Sequence, residues 1–141
     1  MSIIVQKYGG TSLMDTDRIR NVANRIRTYH DQGHQLCVVL SAMGHTTDGL
    51  VAMATELNPH PARREMDMLL STGEQVSIAL MAMTLEAMQV PAISFTGGQV
   101  GIVTDGNFSE ARIEKINVDV IQKNMQAGKV CIVAGFQGID T

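Results

Sequence analysis

Short runs of apolar residues alternate with segments of helical periodicity along this 141-residue chain. The run Ile3–Val5 predicts a buried strand, and 15–32 predicts a helix because its apolar residues recur at i, i+3, i+4 and i+7. Asp15 suits the N-cap of this helix, and Gly33 suits its C-terminal stop. A continuous apolar run within 35–41 predicts a second strand that is covered on both faces. Strand, helix and strand in this order predict a parallel unit with a right-handed crossover.

The same alternation continues to the end of the chain. A helix is predicted over 49–57, and the proline-containing stretch 58–61 then interrupts it. Helical periodicity resumes over 62–70 and over 74–89, and the sequence Ser-Thr-Gly at 71–73 indicates a hinge between these two helices. The second of them is apolar on nearly all sides, which predicts a central position. The remaining predicted elements are strands over 91–95, 100–103 and 129–134, and a strand over 113–117 that leads into a helix over 118–126.

Composition restricts the class of protein. Hydrophobic residues make up 45% of the chain and charged residues 18%, as in ordered globular domains. A chain of this length can bury roughly two thirds of its unfolded surface in one domain. The net charge of −3, the absence of any lysine- and arginine-rich stretch, and an aromatic content of 4% argue against a nucleic-acid-binding groove.

Nothing in the sequence predicts a membrane protein or a secreted one. The longest apolar stretch, 76–88, contains polar residues and is too short to span a bilayer. The amino-terminal residues lack the pattern of a signal peptide. Cys37 and Cys131 lie in apolar, β-branched runs, which predicts buried and reduced thiols. We therefore expect a cytoplasmic protein.

The stretch Lys7–Ser12 joins the first predicted strand to the first predicted helix. Gly9 and Gly10 allow the backbone to approach a ligand closely and to adopt positive φ. Backbone N–H groups of the turn and of the helix start can face an anion, aided by the helix dipole, and Lys7 adds a positive charge. The alternative is an ordinary tight turn with a solvated lysine, and this stretch alone does not decide between them.

A second candidate loop, 41–48, leaves the carboxyl end of the second strand. Ligands of open α/β sheets bind outside the carboxyl ends of the strands. Thr47 or Asp48 is also expected to be the N-cap of the following helix, a function compatible with ligand binding. Glycine- or hydroxyl-rich loops likewise follow the strands that end near 95 and 134. In a parallel sheet all four loops would meet at one edge.

The common alternatives find less support. The first turn has neither the dinucleotide fingerprint nor a Walker A loop, in which the lysine follows the glycines. Glu74 opens a predicted helix, where a carboxylate is either a site residue or a partner of the helix dipole. His30 and His34 are the basis of only a weak metal site, since a glycine separates them and no third ligand follows. Ser41 and His45 give thin support for a hydrolase.

Five segments, taken in order, resemble the aspartate kinases of the amino-acid kinase family. The resemblance extends from the first strand to the last residue with matching spacing. The segments are Lys7-Tyr8-Gly9-Gly10-Thr11-Ser12, Val39-Leu40-Ser41-Ala42-Met43-Gly44 with Thr46-Thr47-Asp48, Arg64 to Glu74, Ser94-Phe95-Thr96-Gly97, and Val133-Ala134-Gly135-Phe136-Gln137-Gly138.

The resemblance implies a fold and an activity. The fold would be an α/β three-layer α/β/α sandwich with a mainly parallel central sheet, of which residues 1–141 form the amino-terminal part. The activity would be transfer of the γ-phosphoryl group of ATP to the β-carboxylate of L-aspartate, the first step toward lysine, threonine and methionine. The nucleotide-base half and the regulatory ACT domains of such enzymes are absent from these residues.

The resemblance also implies two sets of site residues. The ATP-binding set comprises Lys7, Gly9, Gly10, Thr11 and Ser41. The substrate-binding set comprises Ser41, Thr47, Glu74 and Phe136. Lys7 would be catalytic because its charge neutralises the ATP phosphates, and Glu74 would pair with the α-ammonium of aspartate. Mg²⁺ would accompany ATP, held mainly by phosphates and water, without a metal site on the protein itself.

Two departures from the family pattern leave alternatives open. The loop Asp105–Glu110 lacks the usual histidine-glycine-asparagine sequence, and the family's later glycine-arginine-glycine-glycine-serine-aspartate motif does not occur here. The chain is then either part of an active aspartate kinase or an inactive fragment that serves as a binding or assembly module. Another amino-acid kinase is a third reading, which the match at Arg64–Glu74 disfavours. We expect either a homo-oligomer or association with a chain that completes the domain.

Overall fold

The computed structural model describes residues 2–104, 113–135 and 139–140. Strands and helices alternate through most of this part of the chain, as the hydrophobic pattern predicts. The strands are β1 (Ile3–Tyr8), β2 (Gln35–Leu40), β3 (Ala92–Phe95), β4 (Ile102–Thr104), β5 (Ile113–Ile116), β6 (Val130–Ala134) and β7 (Ile139–Asp140). The helices are α1 (Thr16–Asp31), α2 (Thr46–Leu57), α3 (Arg63–Ala87) and α4 (Asp119–Gln126), with a 3₁₀ turn at Gly10–Leu13.

A parallel sheet in the order β1-β2-β6-β3 forms the centre of the described fold. The two inner strands, β2 and β6, are the most apolar runs of the sequence, and every residue of β6 is buried. Parallel strands covered on both faces require such runs, which is why sequence pattern located them correctly. A separate, smaller sheet has the order β5-β4-β7, in which β4 pairs with β5 antiparallel and with β7 parallel.

Helices cover the two faces of the central sheet in separate layers. One face carries Leu36, Val38 and Ile132, which form a buried core with residues of α1 and α3. The opposite face carries Cys37 and Cys131, which lie in a second buried cluster with residues of α4. The three-layer α/β/α arrangement expected from the sequence is therefore confirmed.

The two cysteines are direct neighbours in the sheet. Cys37 of β2 and Cys131 of β6 are register partners, and both are free and buried, as predicted. Burial, and secondarily the nearby Cys37 thiol, raises the pKa of Cys131 to about 11. Thiols in this environment are protonated and unreactive in the folded state.

The first helix agrees with its sequence signals. The Asp15 side chain caps α1 by accepting a hydrogen bond from the backbone N–H of Arg18 at 2.8 Å. Gly33 follows the helix with φ of +88°, which a residue with a Cβ adopts only with strain. Both ends of α1 are set by residues next to them in the sequence, so they could be predicted.

The first strand differs from its prediction in length and in burial. β1 continues to Tyr8, so Lys7 lies within the strand and not in the following turn. Ile3 is 59% exposed and Val5 68% exposed, because β1 is the outermost strand of the described sheet. The prediction of a fully buried strand is wrong for this face, while Ile4 and Tyr8 on the other face pack on the core.

The predicted hinge at 71–73 is also wrong. α3 runs without interruption from Arg63 to Ala87. The hydroxyls of Ser71 and Thr72 donate to the carbonyl oxygens of Met68 and Leu69 in the preceding turn of the same helix, at 2.8 and 2.7 Å. Hydroxyl groups that could have broken the helix are thus satisfied within it.

α3 is long and apolar enough, by length and composition, to cross a membrane, contrary to the expectation from 76–88 alone. In the fold it instead packs against α1, β3 and β6, and its buried face includes the polar residues Glu74 and Ser77. The methionines of this helix divide between environments, since Met81 is fully buried and Met83 is 62% exposed. This is the pattern of a core helix with one solvent-facing side.

α2 begins at Thr46, earlier than the predicted start at 49. His45 occupies the N-cap position without a side-chain capping bond, so the prediction that Thr47 or Asp48 is the N-cap is wrong. Both residues lie in the first turn instead, where Asp48 pairs with His45 at 3.4 Å. α2 has no buried residue and packs on α3.

Candidate functional site

The four parallel strands bring their carboxyl ends to one edge of the central sheet. β1 ends before Gly9, β2 before Ser41, β3 before Thr96 and β6 before Gly135. The convergence predicted from the sequence is therefore confirmed for the loops that the structure describes. Phe136 and the loop 105–110 lie outside the described residues.

The loops after β1 and β2 are in direct contact. The N–H of Gly44 donates to the carbonyl oxygen of Gly10 at 2.9 Å. A Cβ on Gly10 would lie 3.0 Å from the carbonyl oxygen of Gly44 and 3.1 Å from that of Ala42, so the loop would have to shift to admit a side chain. Gly10 is needed for this close approach and not for positive φ, which neither Gly9 nor Gly10 adopts.

The end of β1 is followed by a 3₁₀ turn and then by α1. The 3₁₀ turn begins at Gly10, and Asp15 caps the amino end of α1. The carbonyl oxygen of Thr11 accepts a hydrogen bond from Arg18 Nη1 at 2.6 Å. Lys7 is exposed near the end of β1, opposite Val39 of β2.

Ser41 links the ends of the first two strands. Its N–H donates to the carbonyl oxygen of Tyr8 at 3.2 Å, and its half-buried hydroxyl lies 3.5 Å from the carbonyl oxygen of Ala42. This places Ser41 directly beside the Gly9–Gly10 turn.

Glu74 lies in the interior of α3, and its side chain is buried in the fold. Only 7% of the residue is exposed, and Oε2 has no hydrogen-bond partner among the described residues. Desolvation raises the pKa of this carboxyl to about 8. Because Glu74 is far from the start of its helix, the alternative of a helix-dipole partner is wrong. A buried carboxyl without a partner is suited to binding a cationic group.

Glu74 also faces the carboxyl edge of the sheet. A Cβ on Gly135 would lie 3.7 Å from Glu74 Oε2, and the N–H of Gly135 donates to the carbonyl oxygen of Leu40 at 2.8 Å. The carboxyl group thus lies beside the end of β6, next to the strand that leads into Ser41.

Gly73 contributes to the site in a way that the sequence did not indicate. A Cβ on Gly73 would lie 3.0 Å from Ala42 Cβ and 3.3 Å from Thr46 Cγ2. The missing side chain lets the Ser41–Gly44 loop and the start of α2 pack directly on α3 beside Glu74. The signal in the sequence was a glycine inside a helical pattern, which can indicate close packing. It was interpreted as part of a hinge.

Thr47 follows Thr46 in the first turn of α2 and is exposed. It lies near the carboxyl edge because α2 follows the loop after β2. The described structure therefore brings together Gly9, Gly10, Ser41 and Glu74 at one edge, with Lys7 on the adjoining strand and Thr47 at the rim.

The histidines belong to a different part of the molecule. His30 and His34 line a cleft of about 230 Å³ at the opposite edge, together with Lys129 at the amino end of β6. His30 Nε2 lies 3.1 Å from the carbonyl oxygen of Gly128. In the part of the chain that the structure describes, no three histidine, cysteine or acidic side chains are grouped to hold a metal ion.

Comparison with known proteins gives one consistent family. The profile of the amino acid kinase family matches residues 2–141. The aspartokinase of Thermus thermophilus is 52% identical over 98% of this chain, and that of Bacillus sp. strain MGA3 is 54% identical over 99%. In both cases the chain spans about a third (34%) of the length of the relative.

Solved structures agree with this result. The aspartate kinase from Synechocystis superposes with a TM-score of 0.81 at 48% identity, covering 97% of this chain and 22% of that one. Aspartokinase III of E. coli, solved with aspartate and ADP, superposes with a TM-score of 0.83 over 99% of this chain and 42% of that one. Its 21% identity supports the fold alone.

Proposed function

Because the chain belongs to the amino acid kinase family, we propose that it forms the phosphate- and substrate-binding part of an aspartate kinase. The observation that carries this proposal is the buried carboxyl of Glu74 at the same sheet edge as the Gly9–Gly10 turn, since its Oε2 has no hydrogen-bond partner among the described residues. A cation site beside an anion site fits a substrate that has an α-ammonium group and receives a phosphoryl group.

Glu74 would select the amino acid. A buried carboxylate is strongly disfavoured unless a cation neutralises it, so a bound α-ammonium would supply the missing charge there. Thr47, at the rim, would donate a hydrogen bond to the same substrate. Phe136 follows Gly135 in the sequence and would border the pocket.

The turn after β1 would hold the nucleotide. Backbone N–H groups around Gly9, Gly10 and Thr11 would contact the ATP phosphates, and Lys7 would neutralise their charge. Ser41 would lie between the phosphates and the substrate carboxylate. Phosphoryl transfer depends mainly on such positioning and charge neutralisation, which makes Lys7 the catalytic residue of this set.

Mg²⁺ would enter only as the companion of ATP. Phosphate oxygens and water would hold most of its coordination positions. When bound, the ion neutralises phosphate charge.

The chain would carry out the complete reaction only together with the remainder of a kinase domain, since it spans about a third of its curated relatives. This same fact supports the second candidate, an inactive module that binds or assembles without turnover. We further propose a cytoplasmic location, in keeping with the buried free cysteines, and association into an oligomer or with completing polypeptide.

Calorimetric titration of L-aspartate into the purified chain tests the pocket without requiring turnover. We expect weak binding that Glu74→Gln lowers at least tenfold, while Glu86→Gln, an exposed glutamate on the same helix, leaves it unchanged. Equal binding by the Glu74 variant, or no binding by the wild-type chain, would reject the assignment of the substrate pocket.

A further inference from the structure

Arg18 connects the first helix to the turn that the proposed function assigns to the ATP phosphates. Its Nη1 donates a hydrogen bond to the carbonyl oxygen of Thr11 at 2.6 Å, seven residues earlier in the chain. Arg20, two residues further along α1, instead bonds to Asp17 within the same helix at 3.0 Å. The two arginines are both exposed, but the bond of Arg18 reaches the candidate site.

The start of α1 fixes the backbone from which Arg18 reaches the turn. Asp15 caps the helix by accepting a hydrogen bond from the N–H of Arg18 at 2.8 Å. A guanidinium group is planar and always charged, and hydrogen bonds from a charged donor are shorter and stronger than neutral ones. The short distance between Arg18 Nη1 and the Thr11 oxygen is in keeping with such a bond.

The turn itself needs partners from outside. The last carbonyl groups of a short helix have no N–H partner within that helix, and Gly10–Leu13 is a 3₁₀ turn of four residues. Arg18 supplies a donor to one carbonyl of this turn, and the N–H of Gly44 donates to another, that of Gly10, at 2.9 Å. Leu13 is fully buried in the core. The turn is thus held by α1, by the loop after β2 and by the core.

We propose that Arg18 is a positioning residue for nucleotide binding. It acts through the turn after β1, which it holds in one conformation before the nucleotide arrives. A turn that is already ordered loses less conformational freedom on binding, so the affinity for ATP is higher. The inference rests on the proposed function for the identity of the ligand, whereas the hold of Arg18 on the turn is a property of the free chain.

Amide hydrogen exchange in the free chain tests this hold. We expect Arg18→Ala to increase the exchange rates of the Ser12 and Gly44 amides about three- to tenfold, because a charged hydrogen bond that restrains the turn is lost. Arg20→Ala, which removes the ion pair with Asp17, is the matched control and should leave both rates unchanged. Both variants should keep a Tm close to that of the wild type, since both arginines are exposed.

Calorimetric titration with MgATP tests the consequence for binding. We expect Arg18→Ala to weaken MgATP binding about three- to tenfold and to leave aspartate binding unchanged, because the proposed aspartate site at Glu74 lies on α3. Arg18→Lys keeps a charged donor and should restore part of the lost affinity. Arg18→Met has a long side chain without a donor and should behave like the alanine variant. A loss of stability alone would weaken both ligands and would not be rescued by lysine.

Three results would overturn the inference. The first is an unchanged exchange rate of the turn amides in Arg18→Ala. The second is faster exchange together with wild-type affinity for MgATP. The third is equal weakening of MgATP and aspartate binding, since Arg18 would then act on the fold as a whole. A wild-type chain that binds no MgATP would overturn the proposed function, and the exchange rates alone would then decide whether Arg18 holds the turn.

Discussion

The carboxyl of Glu74 and the backbone of Gly135 are adjacent, such that a Cβ on Gly135 would lie 3.7 Å from Glu74 Oε2. The two residues come from a helix and a strand of the same three-layer core. The Glu74 side chain is buried beside Gly135, and only 7% of the residue is exposed. The raised pKa of Glu74 is a consequence of this arrangement.

The stability of the chain should fall as pH rises between about 4.5 and 8. The pKa of Glu74 is about 8 in the folded state against an ordinary value of 4.5, so over this range the folded protein holds a proton that the unfolded chain has lost. The free energy of unfolding then decreases with pH, by at most about 1.4 kcal/mol per pH unit.

Urea denaturation at several pH values measures this slope. Glu74→Gln, which cannot ionise, should flatten it and should be the more stable protein near pH 8. Glu86→Gln should retain the wild-type slope. If the free energy of unfolding has the same pH dependence in the wild type and in the Glu74 variant, Glu74 has an ordinary pKa in the fold.

The two glycines of the β1 turn should respond differently to alanine. Gly10→Ala introduces a Cβ 3.0 Å from the carbonyl oxygen of Gly44, so we expect a loss of about 1–3 kcal/mol of stability and weaker ATP binding. Gly9 has extended φ of −85° and open space around its Cβ position, so Gly9→Ala should change stability by less than about 0.5 kcal/mol. Thermal denaturation and nucleotide titration of both variants would establish the difference, and equal effects would contradict the packing argument.

Gly73→Ala separates a packing glycine from a hinge. Replacing an interior helical glycine by alanine normally stabilises by roughly 0.5–1 kcal/mol. Here the added Cβ would meet Ala42 Cβ at 3.0 Å, so we expect net destabilisation and weaker aspartate binding. Gly49→Ala on α2, where nothing lies within 4 Å, is the matched control and should be neutral or stabilising. A more stable Gly73→Ala variant would contradict this, because it would show that α2 and the Ser41 loop can move away from α3 without a loss of stability.

Turnover should require both Lys7 and the completed domain. We expect no aspartyl phosphate above background from the chain alone with ATP and aspartate. We expect measurable product from a chimera in which this chain replaces the matched third of the Thermus thermophilus aspartokinase. In the chimera, Lys7→Met should lower kcat on the order of 10²-fold, because the phosphate charge loses its neutralising partner. Lys129→Met, at the opposite edge of the sheet, should leave kcat unchanged. Formation of product by the chain alone would reject the requirement for completion.

Local signals accounted for the elements that were predicted well. The boundaries of α1 follow from the Asp15 cap and from Gly33. β6 was predicted from its continuous apolar run, which is typical of a strand buried on both faces. The convergence of the loops followed from parallel strands alone. These features depend on residues close together in the sequence or on the order of strands and helices, and both can be deduced from a single sequence.

The features that sequence missed depend on contacts with distant residues. Ser71–Gly73 resembles a hinge, but Ala42 and Thr46 pack against Gly73 and the hydroxyls bond within their own helix. The burial of Glu74 results from its position against Gly135, far away in the sequence. Val5 is exposed because β1 is the outermost strand of the described sheet, and an apolar run contains no information about which of its faces is covered.

The two adjacent free cysteines can be used to measure local opening of the fold. Cys37 and Cys131 lie side by side on β2 and β6 and beneath α4, so a thiol reagent reaches them only when this helix detaches or the inner strands separate. Both strands lead directly into loops of the candidate site. Alkylation rates measured with and without aspartate or ATP would therefore show how much each ligand suppresses opening of β2 and β6. No introduced label is needed for that measurement.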